Sequence, residues 1–343
     1  MSRVQGAQFP RRPVHGGNVR AASEAAGREV LDFSACTNPL SFPVARALRE
    51  CAKELAHYPD DRYAEFREAA ARFCGSSPEL VVPGNGSTEL IELAVRAFLE
   101  PGDRVVVRSP TYEEYRFRAM LAGAEAKEGS GPDSSRVVFA CNPNNPTGDL
   151  LLRDEVLSLA EECDRRGAVL VVDESFVELS DPAQSVAPDA ADFEGLLVLR
   201  SLSKAFGLPG LRAGFAAASP PVADALEALR SPWSLSVPAE EAARACFRGA
   251  GPFLERSRRL VARERAWLTE ELAATPLRPQ PSAAPFLTAE APGGASRAAR
   301  DLLKRGLLVR DCASFGLPRY LRLGIRTRPD NRRLAEAVAQ IFH

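Results

Sequence analysis

Four of the 44 basic residues are lysines, and one of them, Lys204, lies within Arg200-Ser-Leu-Ser-Lys-Ala-Phe-Gly-Leu-Pro-Gly-Leu-Arg212. A lysine amine forms a Schiff base with a carbonyl, serine hydroxyls donate hydrogen bonds, and an arginine's planar fork suits a phosphate dianion. Lys204, Ser201, Ser203 and Arg212 together suit a phosphorylated aldehyde. They point to pyridoxal 5'-phosphate (PLP), an electron sink for amino-acid carbanions. A surface lysine beside a turn is the plain alternative, and other parts of a PLP site elsewhere in the chain argue against it.

Those parts occur in order. Asn85-Gly-Ser-Thr88 precedes a helical pattern, so Gly86 allows close approach while Ser87 and Thr88 offer hydroxyls and backbone N–H groups at a helix N-terminus. An ordinary Ser-Thr-Glu helix cap reads the same way. Ser109-Pro-Thr-Tyr112 follows a strand end and offers Tyr112 for stacking on a flat ring, or as a core tyrosine in a turn. In Asn142-Pro-Asn-Asn-Pro-Thr-Gly148, Asn145 suits a hydrogen bond to a phenolic oxygen; a Pro/Asn turn is the simpler reading. Asp173 ends an apolar run, where a carboxylate pairs with a pyridinium nitrogen and keeps it protonated.

The elements that must position these residues read as α/β. Arg104–Arg108, Arg136–Ala140, Ala168–Val172 and Leu196–Leu199 are near-continuous apolar strands, separated by amphipathic stretches at Leu90–Glu100 and Arg153–Arg166. Such runs suit a mostly parallel sheet covered by helices on both faces. Their strand ends form a ligand crevice. A long Ala/Arg/Glu-rich helix is expected from Ala239 to about Leu272, then a Pro-rich joint at Thr275–Ser282. A smaller α+β region follows, with strands at Phe286–Ala289, Leu307–Arg310 and Tyr320–Gly324. The expected organisation is an N-terminal arm over 1–44 that joins the small domain, a large PLP-binding domain over 45–252 and a small C-terminal domain over 253–343.

Composition narrows the partners. With 44 basic against 45 acidic residues, a net charge of −1 gives no electrostatic case for nucleic acid or an anionic membrane. The first ten residues lack a signal-type apolar run, and no later segment reaches the roughly 18 apolar residues of a membrane span. Seven scattered cysteines without a Cys-x-x-Cys pair read as reduced thiols in a cytoplasmic protein. His15, His57 and His343 are too dispersed for a zinc site.

Asn-Gly-Ser-Thr88, Pro-Thr-Tyr112, Asn-Asn-Pro-Thr-Gly148, Val-Val-Asp-Glu174 and Ser-Leu-Ser-Lys204 with Arg212 resemble, in order and spacing, the PLP fold type I, class II aminotransferase-like family. The resemblance runs from about Asp32 to Asn331. It implies Lys204 as the Schiff-base lysine, Tyr112 as stacking partner and Asn145 and Asp173 as ring ligands. It further implies Gly86, Ser87, Thr88, Ser201, Ser203 and Arg212 around the phosphate. His57-Tyr58-Pro-Asp60 resembles the family motif whose tyrosine reaches the neighbouring subunit's cofactor, which implies a homodimer with shared sites.

Within the family, four features resemble the L-threonine-O-3-phosphate decarboxylase branch more than the histidinol-phosphate aminotransferase branch: His15-Gly-Gly-Asn18, Phe176, Arg310-Asp-Cys312 and Arg326. The expectation they carry is decarboxylation of O-phospho-L-threonine, or a close phosphorylated amino acid, to 1-aminopropan-2-yl phosphate for cobalamin biosynthesis, with amino transfer from histidinol phosphate as the alternative. His15, Gly16, Asn38 and Arg310 would then meet the substrate phosphate, and Arg322, with Arg326 nearby, its carboxylate. A non-catalytic PLP-binding module is the reading from another class. The absence of a basic helix-turn-helix segment before residue 15 and the presence of Lys204 weigh against it.

Overall fold

A computed structural model describes residues 10–342. The first nine residues, which bear on the signal-segment reading and on the start of the expected arm, and His343 lie outside the described residues.

The chain forms a seven-stranded sheet in the order Val81–Gly84, Gly214–Ala218, Leu196–Ser201, Val169–Asp173, Val137–Cys141, Arg104–Val107, Glu125–Glu128. Gly214–Ala218 alone runs antiparallel to its neighbours. The apolar runs are continuous because both faces are covered. Val106, Val138, Leu170, Val172 and Val198 pack against Ala64–Cys74, Arg153–Arg165 and Val237–Arg248, whereas Val107, Phe139, Val171, Leu197 and Leu199 pack beneath Ser87–Phe98 and Pro220–Leu229. The alternation is the two-residue strand period at work.

A four-stranded antiparallel sheet, Arg310–Asp311, Tyr320–Gly324, Phe286–Glu290, Arg278–Pro279, carries its own core with Leu268, Leu302, Leu334 and Val338. Leu31–Asp32 and Leu307–Leu308 form a separate two-stranded parallel ladder beside it, and Phe33 enters the same core. The expected single helix from Ala239 is instead two, Val237–Arg248 and Ala250–Ala273. Gly249 makes the break: the Phe42 ring packs against it so closely that a Cβ there would lie 2.5 Å from the ring's Cζ. Only a residue without a side chain allows that approach.

Candidate active site

A cavity of about 530 Å³ opens at the C-terminal ends of the parallel strands and extends toward the four-stranded sheet. Cys141, Asp173 and Ser201, the last residues of three adjacent strands, form its floor. This is where open α/β sheets place ligands, because the loops diverge there.

At one end, Ser87 and Thr88 open the helix Ser87–Phe98, whose unsatisfied N–H groups favour an anion. Gly86 does not line the cavity, but it adopts φ 77°, and a Cβ there would collide with Arg212 Nη2. Arg212 can lie against this turn only because residue 86 is glycine. Arg212 Nη1 donates to Ser203 Oγ at 3.1 Å and to Pro209 O at 3.2 Å, so Arg212, Ser203 and Ser201 reach the same cavity as Ser87 and Thr88.

Lys204 sits in the short helix Leu202–Ala205, with its Nζ donating to Ala35 O at 2.9 Å. Burial is the largest influence on this amine and lowers its pKa; Cys36 opposes that, while Arg322 and Arg212 add to the lowering. The Phe176 ring lies 5.9 Å from the amine and packs on Phe286. Asp173 is buried, its two oxygens held by Tyr115 Oη at 2.7 Å and Ser175 N at 3.0 Å. A carboxylate has lone pairs to spare beyond these two bonds. Tyr112 borders the cavity and its phenol is pushed up to about 12, chiefly by burial and next by the charge of Glu114.

Behind this floor, Arg200 is buried between Glu174 and Glu178, at 3.1 Å from Glu174 Oε2 and 2.5 Å from Glu178 Oε1. Glu174 also accepts from Ser185 Oγ at 2.6 Å and Val186 N at 2.8 Å. The cluster ties together the ends of the two strands that carry Asp173 and Ser201, residues one position away from Glu174 and Arg200 and so on the opposite face.

The other end of the cavity holds His15, Gly16, Arg310 and Arg322. Arg322 donates to Ser34 O at 2.7 Å and pairs with Asn145 Oδ1, but its buried Nε has no partner among the described residues. A buried guanidinium N–H left unpaired marks a place for an acceptor.

Besides Gly86, three expected site residues lie outside the cavity lining. Asn38 is buried outside the cavity, its amide donating to Ala205 O at 2.7 Å and Ser257 Oγ at 2.9 Å. Its work is to brace the turn that bears Lys204. Arg326 bonds Asp330 Oδ2 at 3.0 Å and Asp32 O at 3.1 Å, so it fastens the start of the C-terminal helix instead of lining the cavity. Tyr58 is 77% exposed and stacks on Trp233 with centroids 4.2 Å apart. Conversely, Glu114, Tyr115 and Ser175, which hold His15 and Asp173, were not anticipated from the sequence. The one sequence signal for them is position: Glu114 and Tyr115 begin the helix just after Tyr112, and Ser175 follows Asp173 by two residues.

The sequence profile described as aminotransferase class I and II matches residues 29–338, and this chain belongs to that family. Histidinol-phosphate aminotransferase 2 of Archaeoglobus fulgidus is 36% identical over 92% of this chain and 94% of its own. The histidinol-phosphate aminotransferase of Sinorhizobium meliloti, solved in complex with pyridoxal-5'-phosphate, superposes with a TM-score of 0.87 at 24% identity, covering 96% of this chain and 95% of its own. The L-threonine-O-3-phosphate decarboxylase of Porphyromonas gingivalis superposes at 0.81 with 23% identity, covering 89% and 98%; both of these structural likenesses are of fold alone.

The chain is a PLP-dependent enzyme of the aminotransferase family. Its cavity fits the cofactor: an anion seat with arginine at one end, a buried oriented carboxylate, and a lysine between the two halves of the fold. The decarboxylase expectation is corrected, and its link to cobalamin biosynthesis goes with it, because whole-chain similarity runs to histidinol-phosphate aminotransferases. Of the four residue features behind that expectation, Arg326 is explained by its structural bonds to Asp330 and Asp32. Among the described residues no helix is long and apolar enough to cross a membrane, and no cluster of metal-ligating side chains occurs.

Proposed function

We propose that this enzyme transfers the amino group of histidinol phosphate, or of a closely similar phosphorylated amine, to an oxo acid. Similarity over nearly the whole length of a histidinol-phosphate aminotransferase carries this reading. The anion-seeking end of the cavity supports it, since Arg310 and Arg322 suit a substrate phosphate in one half-reaction and an acceptor carboxylate in the other.

PLP, when bound, supplies an electron sink for negative charge at the amino-bearing carbon. Lys204 would anchor it, and afterwards takes and returns the proton at that carbon. Ser87, Thr88, Ser201, Ser203 and Arg212 would hold its phosphate, with Gly86 leaving room for Arg212. Asp173 would hold the proton of its ring nitrogen, Asn145 would donate to its phenolic oxygen and Tyr112 would support its face; all three line the cavity. His15, Gly16, Arg310 and Arg322 orient the substrate from the other side. The lowered amine of Lys204 keeps more of it neutral, the form that accepts a proton.

The active form is a homodimer in which Tyr58 serves the neighbouring site. Its exposure, and its absence from the cavity of its own chain, are consistent with that. The compartment is the cytoplasm, in keeping with seven unpaired cysteines.

Incubation with histidinol phosphate and 2-oxoglutarate tests the reading. The expected products are glutamate and the corresponding phosphorylated ketone. If no glutamate accumulates from a PLP-loaded sample, the substrate assignment fails.

A further inference from the structure

The segment Val14–Gly17 lines the substrate end of the cavity and is tied at three points. Arg310 Nη2 donates to Val14 O at 2.5 Å, and Gly17 N donates to Ser34 Oγ at 2.8 Å. The third tie reaches across 99 positions of sequence, from His15 Nε2 to Glu114 Oε1, at 2.7 Å.

Glu114 is buried at the start of the helix Glu114–Leu121. Its second oxygen accepts from Arg118 Nε at 2.8 Å, and Arg118 Nη1 donates to Glu92 at 2.7 Å. Two carboxylates and one guanidinium leave this cluster one charge negative, and a protonated imidazole brings it to zero. Burial pushes the Glu114 carboxyl up, but hydrogen bonds from His15 and Arg118 outweigh it and hold the group below its usual value. Besides this cluster, the ring meets Tyr112 at 5.7 Å, and Arg310 stands behind the adjoining Val14 carbonyl. The cavity that His15 shares also holds Asp32, Asp173, Lys204, Arg212 and Arg322.

A carboxylate only accepts hydrogen bonds, so the contact requires the His15 proton on Nε2. That leaves Nδ1, which has no protein partner among the described residues, as the ring atom available to a ligand. In the cationic ring Nδ1 donates to a phosphate oxygen. In the neutral ring it accepts from a protonated one.

We propose that Glu114 is a positioning residue for substrate recognition: it fixes the proton of His15 on Nε2, balances the charge of the protonated ring and so commits Nδ1 to the substrate phosphate. The proposal rests on the substrate-site reading above. It separates Glu114 from a residue that merely fastens the arm, because fastening would leave the ring's proton location unspecified.

The experiment uses the PLP-loaded full chain. With three histidines in the sequence, the His15 ring nitrogens can be assigned by nitrogen NMR against His15→Gln. In the neutral ring of the unaltered protein, Nε2 should carry the proton and Nδ1 none. In Glu114→Gln the amide oxygen stays with Arg118, which only donates, and the amide NH₂ faces the ring, so Nδ1 should keep its proton instead. Each single variant should raise KM for histidinol phosphate about tenfold while kcat stays within about twofold. The double variant should be no worse than either single one, because both remove the same interaction.

The same cycle read as the Kd of inorganic phosphate by calorimetry needs no turnover. If histidinol phosphate is not a substrate but the phosphate cycle is non-additive, the substrate assignment falls and the role of Glu114 stands. Losses that add in the double variant, or a neutral His15 ring protonated on Nδ1 in the unaltered protein, would overturn the proposal.

Discussion

The hydroxyl of Tyr115 donates to Asp173 Oδ2 at 2.7 Å, placing a phenol directly behind the carboxylate at the cavity floor. Tyr115 has no solvent exposure and stacks on Phe139 at 4.9 Å with ring planes 8° apart. It also meets Tyr112 edge-on at 5.5 Å. Burial raises its phenol well above the ordinary range, with the Asp173 charge adding to that, so it remains a donor at any working pH. Sequence places Asp173 at a strand end; the rigid aromatic stack determines how its carboxylate is turned.

Tyr115→Phe should therefore weaken PLP binding without collapsing the fold. A lost donor to a buried carboxylate costs about 1–3 kcal/mol, which corresponds to a rise in the Kd of PLP of about 5- to 150-fold. Equilibrium dialysis against PLP measures it. An unchanged Kd would mean that Asp173 does not depend on this support.

Lys204→Ala should abolish the yellow colour of the loaded protein, and borohydride should then fix no pyridoxyl group. In the unaltered chain, capture of PLP by the apoprotein needs the neutral amine, whose fraction rises with pH through its own pKa. Burial lowers that pKa from 10.5, so the capture rate should level off at lower pH than for free lysine. A pyridoxyl label on another lysine, or a profile on the alkaline side of free lysine, would count against the assignment.

Glu240 supplies a pH prediction away from the cavity. Burial, then the charges of Glu241 and Asp60, raise its carboxyl from 4.5 to about 7. The folded chain thus holds this proton more tightly than the unfolded chain. The resulting stability is fully present below pH 4.5 and is lost as pH rises through about 7. Glu240→Gln should leave stability at pH 4 unchanged and raise it at pH 8 by about 1–2 kcal/mol, allowing for partial solvent screening. Urea melts of both proteins at the two pH values check this, and equal midpoints at pH 8 would refute it.

What the sequence revealed depended on how far a residue's job is written in its type. The strands at Val137–Cys141, Val169–Asp173 and Leu196–Ser201 were legible because burial on both faces demands unbroken apolar runs. Glu125–Glu128 lies at the sheet edge and Gly214–Ala218 is glycine and alanine apart from Phe215, so neither has that signature. Lysine, serine and arginine around Lys204 identify a phosphorylated carbonyl whatever their exact contacts. Asn38 and Arg326 resisted reading because an amide or a guanidinium looks the same whether it meets a ligand or braces backbone. The choice between sister activities failed for the same reason: it rested on a few polar positions, one of which proved structural.

The stretch from Leu31 to Asn38 works as a tether between the two sheets. At one end it is laced into the strand Leu307–Leu308; at the other, the Asn38 amide grips Ala205 O, and midway Ala35 O holds the Lys204 amine. Because Gly324 N, at the end of a strand of the four-stranded sheet, donates to Phe33 O at 2.7 Å, these eight residues couple that sheet mechanically to the reactive nitrogen. Any rocking of that sheet over a substrate must strain this tether or carry the lysine with it, so closure of the cavity and release of the Lys204 amine from its resting carbonyl are geared to one another.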